Sequence, residues 1–250
     1  MRILLTNDDG ITSPGLFLLA AALRKAGHSI FVVAPDKNRS GSSHSISFLN
    51  EPCKLTEIEK DTWSCSGTPV DCVITALLGG IPQLCVAGVT GINLDNGPDL
   101  ILSGINAGAN LGTDIVYSGT AAAARQGSLI GISSVAFSLV ENDKEWQWPP
   151  VISFITERLE EMKGFWKPGA FVNINFPNTG FISALVPAFP AKRYYNDRIE
   201  NYFAPDGSLY CFADPGKVEN IPEAGSDWDE VLKNNAALSV IMCQPGVFLG

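Results

Sequence analysis

The chain has 250 residues, of which 46% are hydrophobic and 17% charged, and its formal net charge is −9. A disordered chain is excluded, because such chains are poor in apolar residues, and the length suits one α/β domain with an appendage. The negative charge argues against long nucleic acid as a partner, since duplex binding depends on a basic surface.

The cysteines and the apolar runs indicate the compartment. The six cysteines form no C-x-x-C pair, and the chain is too large to need disulfides. We therefore interpret them as reduced core residues of a cytoplasmic protein. The apolar run 3–5 is too short for a signal peptide. No apolar stretch approaches the roughly 20 residues of a membrane helix, so no membrane partner is expected.

The first elements predict a strand, a helix and a second strand. Residues 1–6 are typical of a strand buried on both faces. Ser13 and Pro14 are suited to begin a helix, and Gly27 is suited to end it. Residues 30–33 predict the next strand. Such a βαβ unit favours a Rossmann-like parallel sheet flanked by helices.

The alternation continues along the chain. Helices are predicted over 68–80, 121–129 and 151–162, and strands over 100–103, 135–140, 171–176 and 238–242. After Pro177, prolines, glycines and tyrosines recur without a clear period. We therefore expect one structural domain, with an α/β core over 1–176 and, over 177–250, an irregular hairpin arm plus the last core strand.

Two adjacent carboxylates, Asp8 and Asp9, directly follow the first predicted strand. Ligands of open parallel sheets bind beyond the carboxyl ends of the strands. Adjacent strand residues face opposite ways, so the pair must lie in the turn to converge on one ion. Oxygen ligands favour a hard ion such as Mg²⁺ or Mn²⁺. A simple turn or helix cap ahead of Ser13 is the alternative.

Two further polar segments also follow predicted strands. The loop 34–45 contains Lys37 and Arg39 and can hold an anion through its amides, or be an ordinary surface loop. The glycine-rich segment 103–112 leads to Ser118 and Thr120, either of which can cap a helix whose free amides favour phosphate. Capping alone needs no ligand. The shared position of all three segments favours one joint site.

These motifs together resemble the SurE family of stationary-phase survival proteins with 5′/3′-nucleotidase activity. The similarity is good over about residues 1–176 and loose beyond. The matching stretches are Asn7-Asp8-Asp9-Gly10, Ala34-Pro35-Asp36, Arg39-Ser40-Gly41, Gly67-Thr68-Pro69, Asp71-Cys72-Val73, Ser103-Gly104-Ile105-Asn106, Tyr117-Ser118-Gly119-Thr120 and Val172-Asn173-Ile174-Asn175.

The resemblance implies a site and a reaction. One divalent metal ion, Mg²⁺ or Mn²⁺, would be held by Asp8, Asp9, Ser40 and Asn106. Nucleoside 5′- and 3′-monophosphates would be hydrolysed to nucleoside and phosphate. The catalytic residues would be Asp8, Asp9 and Asn106. The phosphate-binding residues would be Ser118, Gly119 and Thr120. Attack by water is expected, because no protein nucleophile is convincing.

Asn93 is a rival for the last metal ligand. Residues 89–93 echo residues 102–106, so that both segments end in Gly-Ile-Asn. We prefer Asn106, because it follows a full strand and leads into the glycine-rich segment. Asn93 lies in an insertion, about residues 82–96, that the family pattern usually lacks.

Two other functions remain open alternatives. One is a non-catalytic nucleotide-binding module on the same fold, and the other is a nucleoside hydrolase that cuts the glycosidic bond. The carboxylate pair argues against the first, since an anion binder gains little from Asp8 and Asp9 without a metal. We also expect a homodimer or tetramer, because the aromatic arm is poorly able to bury its own surface.

Overall fold

The computed structural model describes residues 1–88, 91–214 and 216–246; Val89 and Thr90 of the repeated motif lie outside these ranges. The helices are α1 Pro14–Lys25, α2 Pro69–Thr75, α3 Gly119–Ile130, α4 Trp148–Gly164 and α5 Asp227–Leu232. The strands are β1 Arg2–Thr6, β2 Ser29–Pro35, β3 Leu55–Glu59, β4 Thr62–Cys65, β5 Ala87–Gly88, β6 Gly91–Ile92, β7 Leu100–Ala107, β8 Ser134–Val140, β9 Ala170–Pro177, β10 Leu185–Pro187, β11 Arg193–Tyr195, β12 Arg198–Phe203, β13 Leu209–Asp214, β14 Val218–Asn220 and β15 Ala236–Met242.

Within these ranges, a nine-stranded sheet has the order β10-β15-β9-β8-β7-β1-β2-β4-β3. The central strands β4, β2, β1, β7, β8 and β9 are parallel. Taken in chain order, they have the 3-2-1-4-5-6 arrangement of a Rossmann fold, in which the order reverses between β1 and β7. The predicted fold class is confirmed, and the sheet's reversal point lies where the first polar segment was predicted.

The sheet lies between two helical layers. On one face, α1 and α4 pack together over an apolar cluster that includes Leu19, Val135 and Ile155. On the other face, α2 and α3 pack over a second cluster that includes Val73 and Ile101. β8 and β9 are buried along their whole length, as expected for strands covered on both faces. This rigid core fixes where the strand ends lie.

The arm after the core contains two short antiparallel pairs. β11 pairs with β14, and β12 pairs with β13 over six residues of each strand. Every residue of β12 and β13 is exposed. The hairpin prediction for this region is therefore confirmed. The chain then returns through α5 to β15, which joins the main sheet beside β9.

The structure differs from the sequence predictions in three respects. The strands β3 and β4 were not predicted, and they extend the sheet beyond β2. The sheet is mixed rather than wholly parallel, because β3 pairs antiparallel with β4 and β15 pairs antiparallel with β9. The prediction that all six cysteines are core residues is wrong for Cys211, which is exposed on the hairpin, whereas Cys65, Cys72 and Cys243 are buried. No helix in the described ranges is long and apolar enough to cross a membrane.

Candidate active site

A tight turn after β1 presents the two aspartates. The Asn7 side chain closes this turn, since its Nδ2 donates to the Gly10 carbonyl at 2.9 Å and its Oδ1 accepts from the Gly10 amide at 3.2 Å. Gly10 has φ 101°, and a Cβ there would come within 3.0 Å of the Lys37 backbone. Glycine therefore allows the turn to lie directly against the loop that follows β2. Asp8 and Asp9 lie in this turn, as predicted.

The Asp8 side chain contacts the first residues of α3. Only 3% of Asp8 is exposed, and the Thr120 hydroxyl donates to its Oδ1 at 2.5 Å. Burial raises the pKa of Asp8, while the Thr120 hydroxyl and the amides of Thr120 and Gly119 act in the opposite direction. A Cβ on Gly119 would lie 2.9 Å from the Asp8 Cβ. The first residues of α3 therefore hold this carboxylate; their phosphate-binding role stays a prediction.

Asp9 is the less buried of the two aspartates. Its Oδ2 accepts a hydrogen bond of 3.0 Å from the Ala107 amide, at the end of β7. Burial raises the pKa of Asp9 to about 6, and the nearby charge of Asp8 adds to the increase. β1 and β7 thus bring two carboxylates together at the reversal point of the sheet, in surroundings that disfavour their negative charge.

Several predicted residues meet in one open cleft. Asp8, Ser40, Asn106 and Ser118 all line a cleft of about 270 Å³. The Asn106 Nδ2 donates to the Gly108 carbonyl at 2.9 Å, so the nitrogen side of the amide is engaged. The Ser118 hydroxyl caps α3 by accepting from the Ala121 amide at 2.9 Å. Asp9 contacts the cleft through its hydrogen bond with Ala107. Thr120 does so through its hydrogen bond with Asp8, and Gly119 through its close approach to Asp8.

Asn93 lies at the other end of β7. It caps the short turn Leu94–Asn96 by accepting from the Asp95 amide at 3.0 Å, and it is exposed. This turn precedes β7, whereas Asn106 lies near its carboxyl end. An eight-residue strand spans roughly 26 Å, so the two asparagines lie on opposite edges of the sheet. The structure brings Asn106, and not Asn93, to the aspartates.

The donor set fits a hard divalent ion. Asp8, Asp9, Ser40 and Asn106 offer carboxylate, hydroxyl and amide oxygens, the ligand types that Mg²⁺ and Mn²⁺ take. Both aspartates have raised pKa values, and no Lys or Arg in the described ranges forms an ion pair with them. A cation would compensate this charge. No described group of three His, Cys, Asp or Glu residues forms a metal site, so hydroxyl and amide ligands would have to complete this one.

Sequence reasoning missed a buried asparagine network beneath the cleft. The Asn110 amide donates to Asn175 Oδ1 at 2.9 Å, and its Nδ2 donates to the Ser138 hydroxyl at 2.7 Å. In return, Asn173 and Asn175 donate to the Asn110 carbonyl at 2.9 and 3.0 Å. Asn173 and Asn175 had been matched to a family strand but given no role. The signal that could have identified Asn173 and Asn175 is their place as polar residues on a fully buried strand.

Two further groups were also missed. The arm contributes Tyr195, whose hydroxyl donates to Asp114, and both residues line the cleft. Arg193 forms a buried ion pair with the same aspartate. Ser42 has a buried hydroxyl without a hydrogen-bond partner in the described ranges, and a Cβ on Gly119 would lie 3.0 Å from it. Ser42 lay in the predicted loop, but no sequence pattern distinguished it from its neighbouring serines.

Comparisons with known proteins give matches over most of the chain. The family model described as "Survival protein SurE" matches residues 3–188. A protein named 5′-nucleotidase SurE from Chelativorans sp. (strain BNC1) is 43% identical over 91% of this chain and 87% of its own length. One of the same name from Xanthomonas campestris pv. campestris (strain B100) is 35% identical over 96% of this chain and 89% of its own. The crystal structure of the SurE protein from Aquifex aeolicus has a TM-score of 0.80 and 31% identity, covering 99% of this chain and 96% of that one.

Proposed function

This chain belongs to the SurE family, and on that premise we propose that it is a metal-dependent phosphomonoesterase acting on nucleoside 5′- and 3′-monophosphates. The observation that carries the proposal is the meeting of Asp8, Ser40, Asn106 and Ser118 in one cleft, with Asp9 beside it. The relatives named 5′-nucleotidase support the 5′ position. Hydrolysis at the 3′ position is proposed from the family resemblance of the sequence motifs.

Asp8, Asp9, Ser40 and Asn106 would hold the divalent ion. When bound there, the ion would polarise a phosphoryl oxygen and lower the pKa of a water molecule. The chain's own residues set the geometry. Thr120 fixes the Asp8 carboxylate, and the Ala107 amide fixes that of Asp9. Both carboxylates are therefore oriented before a substrate arrives, which lowers the cost of ordering them.

The remaining polar groups suit hydrolysis by water. Asp9 is less buried than Asp8 and therefore more accessible to the attacking water, so it is the better of the two to accept a proton from that water. The second N–H of the Asn106 Nδ2 and the Ser118 hydroxyl would stabilise charge on the phosphoryl oxygens. The ester oxygen of the nucleoside would leave on the side of the phosphorus opposite the attacking water and would take up a proton from solvent.

Phosphate release in the presence and absence of metal tests the proposal. The purified chain should lose activity toward 5′-AMP and 3′-AMP after treatment with a chelator and regain it with Mg²⁺ or Mn²⁺. Asp8→Asn should abolish the activity, because it removes a buried carboxylate ligand. Asp95→Asn, an exposed carboxylate near Asn93, is the matched control and should retain it. Full activity of the wild type in metal-free buffer would overturn the proposed metal dependence.

The same screen separates the two alternatives. A nucleoside hydrolase would release free base rather than phosphate, and a nucleotide-binding module would bind without turnover. Chromatography of the products for nucleoside, base and nucleotide distinguishes all three. We expect nucleoside and inorganic phosphate in equal amounts.

A further inference from the structure

Two aromatic rings line a cleft that is otherwise largely polar. Tyr117 precedes the cap of α3, and Tyr195 reaches the cleft from β11 of the arm. The polar lining accounts for the proposed metal and phosphate contacts. The rings need another explanation, because a metal or a phosphoryl group gains little from a flat apolar surface.

The Tyr195 ring is held in a fixed position. Its hydroxyl donates to Asp114 Oδ1, and the other oxygen of Asp114 pairs with Arg193. The side chains of that ion pair are only 6% and 9% exposed. Asp114 also accepts from the Leu111 amide at 3.2 Å, which ties the cluster to the glycine-rich segment. Burial raises the pKa of the Tyr195 hydroxyl, so it remains a donor.

The backbone around Tyr195 is anchored as well. The Thr113 hydroxyl donates to the Arg193 carbonyl at 3.1 Å, and the Arg193 amide donates to the same hydroxyl at 3.3 Å. These bonds join β11 to the turn Gly112–Val116 that precedes Tyr117. Yet 42% of Tyr195 stays exposed. The cluster thus holds the edge of the ring and leaves part of its surface available to a ligand.

A preset aromatic surface beside a phosphate site suits a planar heterocycle. Aromatic side chains stack on nucleobases of every kind, because each base has a π-face. A ring that is already ordered loses little conformational entropy when it stacks. The ribose and base of a nucleoside monophosphate extend from its phosphate, so a ring in the same cleft lies within reach of the base.

We propose that Tyr195 forms a nucleobase subsite, in which its ring stacks on the base of a bound nucleoside monophosphate. The inference rests on the proposed function for the identity of the substrate. The arm would then contribute to substrate choice as well as to the fold. Asp114 and Arg193 would act as positioning residues that set the angle of the ring.

The test compares two substrates that differ only in the base. Ratios of kcat/KM for 5′-AMP over ribose 5-phosphate are measured with metal present for the wild type, Tyr195→Ala and Tyr195→Phe. Tyr195→Ala should lower the ratio by about 5- to 150-fold, mainly through KM. Tyr195→Phe keeps the ring but loses the hydrogen bond to Asp114 that positions it, so its ratio should fall by less than that of Tyr195→Ala.

The neighbouring tyrosine supplies the matched control. Tyr194 is 55% exposed on the same strand and does not line the cleft, so Tyr194→Ala should leave the ratio unchanged. Melting curves of all variants confirm folding. An unchanged ratio in Tyr195→Ala overturns the proposal. An equal fall in Tyr195→Phe and Tyr195→Ala also overturns it, since the hydroxyl rather than the ring would then be responsible.

Failure of the proposed function gives a different result. If the wild type hydrolyses neither compound, the phosphatase proposal fails, and the subsite is then decided by calorimetry. 5′-AMP should bind the wild type more tightly than ribose 5-phosphate does, by a margin that Tyr195→Ala removes. If this margin is absent, or if neither compound binds, the subsite proposal fails too.

Discussion

Two asparagines with the same preceding residues lie in different surroundings. Asn106 lies near the carboxyl end of β7 and lines the cleft, whereas Asn93 caps an exposed turn before the same strand. A motif of three residues does not distinguish them. The position relative to a strand does, because the ligand edge of a parallel sheet is the one at the carboxyl ends.

Substitution of each asparagine tests this assignment. Asn106→Ala should weaken metal binding and lower turnover, each by at least about tenfold, because a lost ligand also disorders the water that it helps to place. Asn93→Ala should leave both nearly unchanged. Metal titration and phosphate release on the two variants provide the measurement. The assignment is wrong if Asn93→Ala is inactive while Asn106→Ala behaves like the wild type.

Single residues also show how far the sequence predicts the site. The segments that contain Asp8, Ser40, Asn106 and Ser118 could be placed because each follows a predicted strand, and the family resemblance singled out Ser40 and Asn106 within them. Asp114 and Tyr195 could not, since their contact joins positions 81 residues apart. Tyr195 also lies in the arm, where the sequence has no periodic pattern of apolar residues. Contacts of that kind depend on the path of the arm, which local patterns do not determine.

At the scale of elements, the long buried strands and helices were predictable, and the sheet edge was not. β8 and β9 are apolar runs, and their polar residues are Ser134 and Ser138 in β8 and Asn173 and Asn175 in β9. β3, by contrast, is exposed at four of its five residues and carries Glu57 and Glu59. Charged residues on an edge strand protect it from pairing with other chains, and they also remove the pattern by which a strand is recognised.

The asparagines of β9 explain why the glycine-rich segment keeps its shape. Asn175→Ala removes a donor to the Asn110 carbonyl and an acceptor from the Asn110 amide, leaving a buried N–H unsatisfied. We expect a loss of about 2–4 kcal/mol in the free energy of unfolding, measured by urea titration. Asn50→Ala, in an exposed turn outside the hairpin, should cost less than about 0.5 kcal/mol. A loss below about 1 kcal/mol for Asn175→Ala would contradict this role.

For the whole molecule, the hairpin of β12 and β13 is the feature least explained by one chain. A lone two-stranded hairpin is marginal in water, and this one exposes Ile199, Tyr202, Phe203 and Phe212. The rings of Tyr202 and Phe212 lie 5.7 Å apart on one face, and exposed aromatic surface of this kind is typical of a protein interface. We therefore propose that the hairpin packs against another copy of the chain in a homodimer or tetramer.

Light scattering tests the assembly. The wild type should have the mass of a dimer or tetramer at micromolar concentration. Phe203→Asp should shift the mass toward the monomer, because Phe203 is 78% exposed on the hairpin and a buried unpaired charge is costly. Phe181→Asp, at a phenylalanine that is 60% exposed outside the hairpin, serves as the control. A monomeric wild type, or equal effects of the two substitutions, would contradict the proposal.

The bonds around the cleft join remote positions in the chain, and this has a consequence for folding. Thr120 and Asp8 are 112 residues apart, and Ala107 and Asp9 are 98 apart. Contacts of such long range form only after large loops have closed, so partly folded chains lack the complete site. A ligand of the cleft would therefore bind the native state alone. At a concentration of one hundred times its Kd, such a ligand would add about 2.7 kcal/mol to the free energy of unfolding. Added resistance to proteolysis in the presence of the ligand would therefore identify completely folded chains.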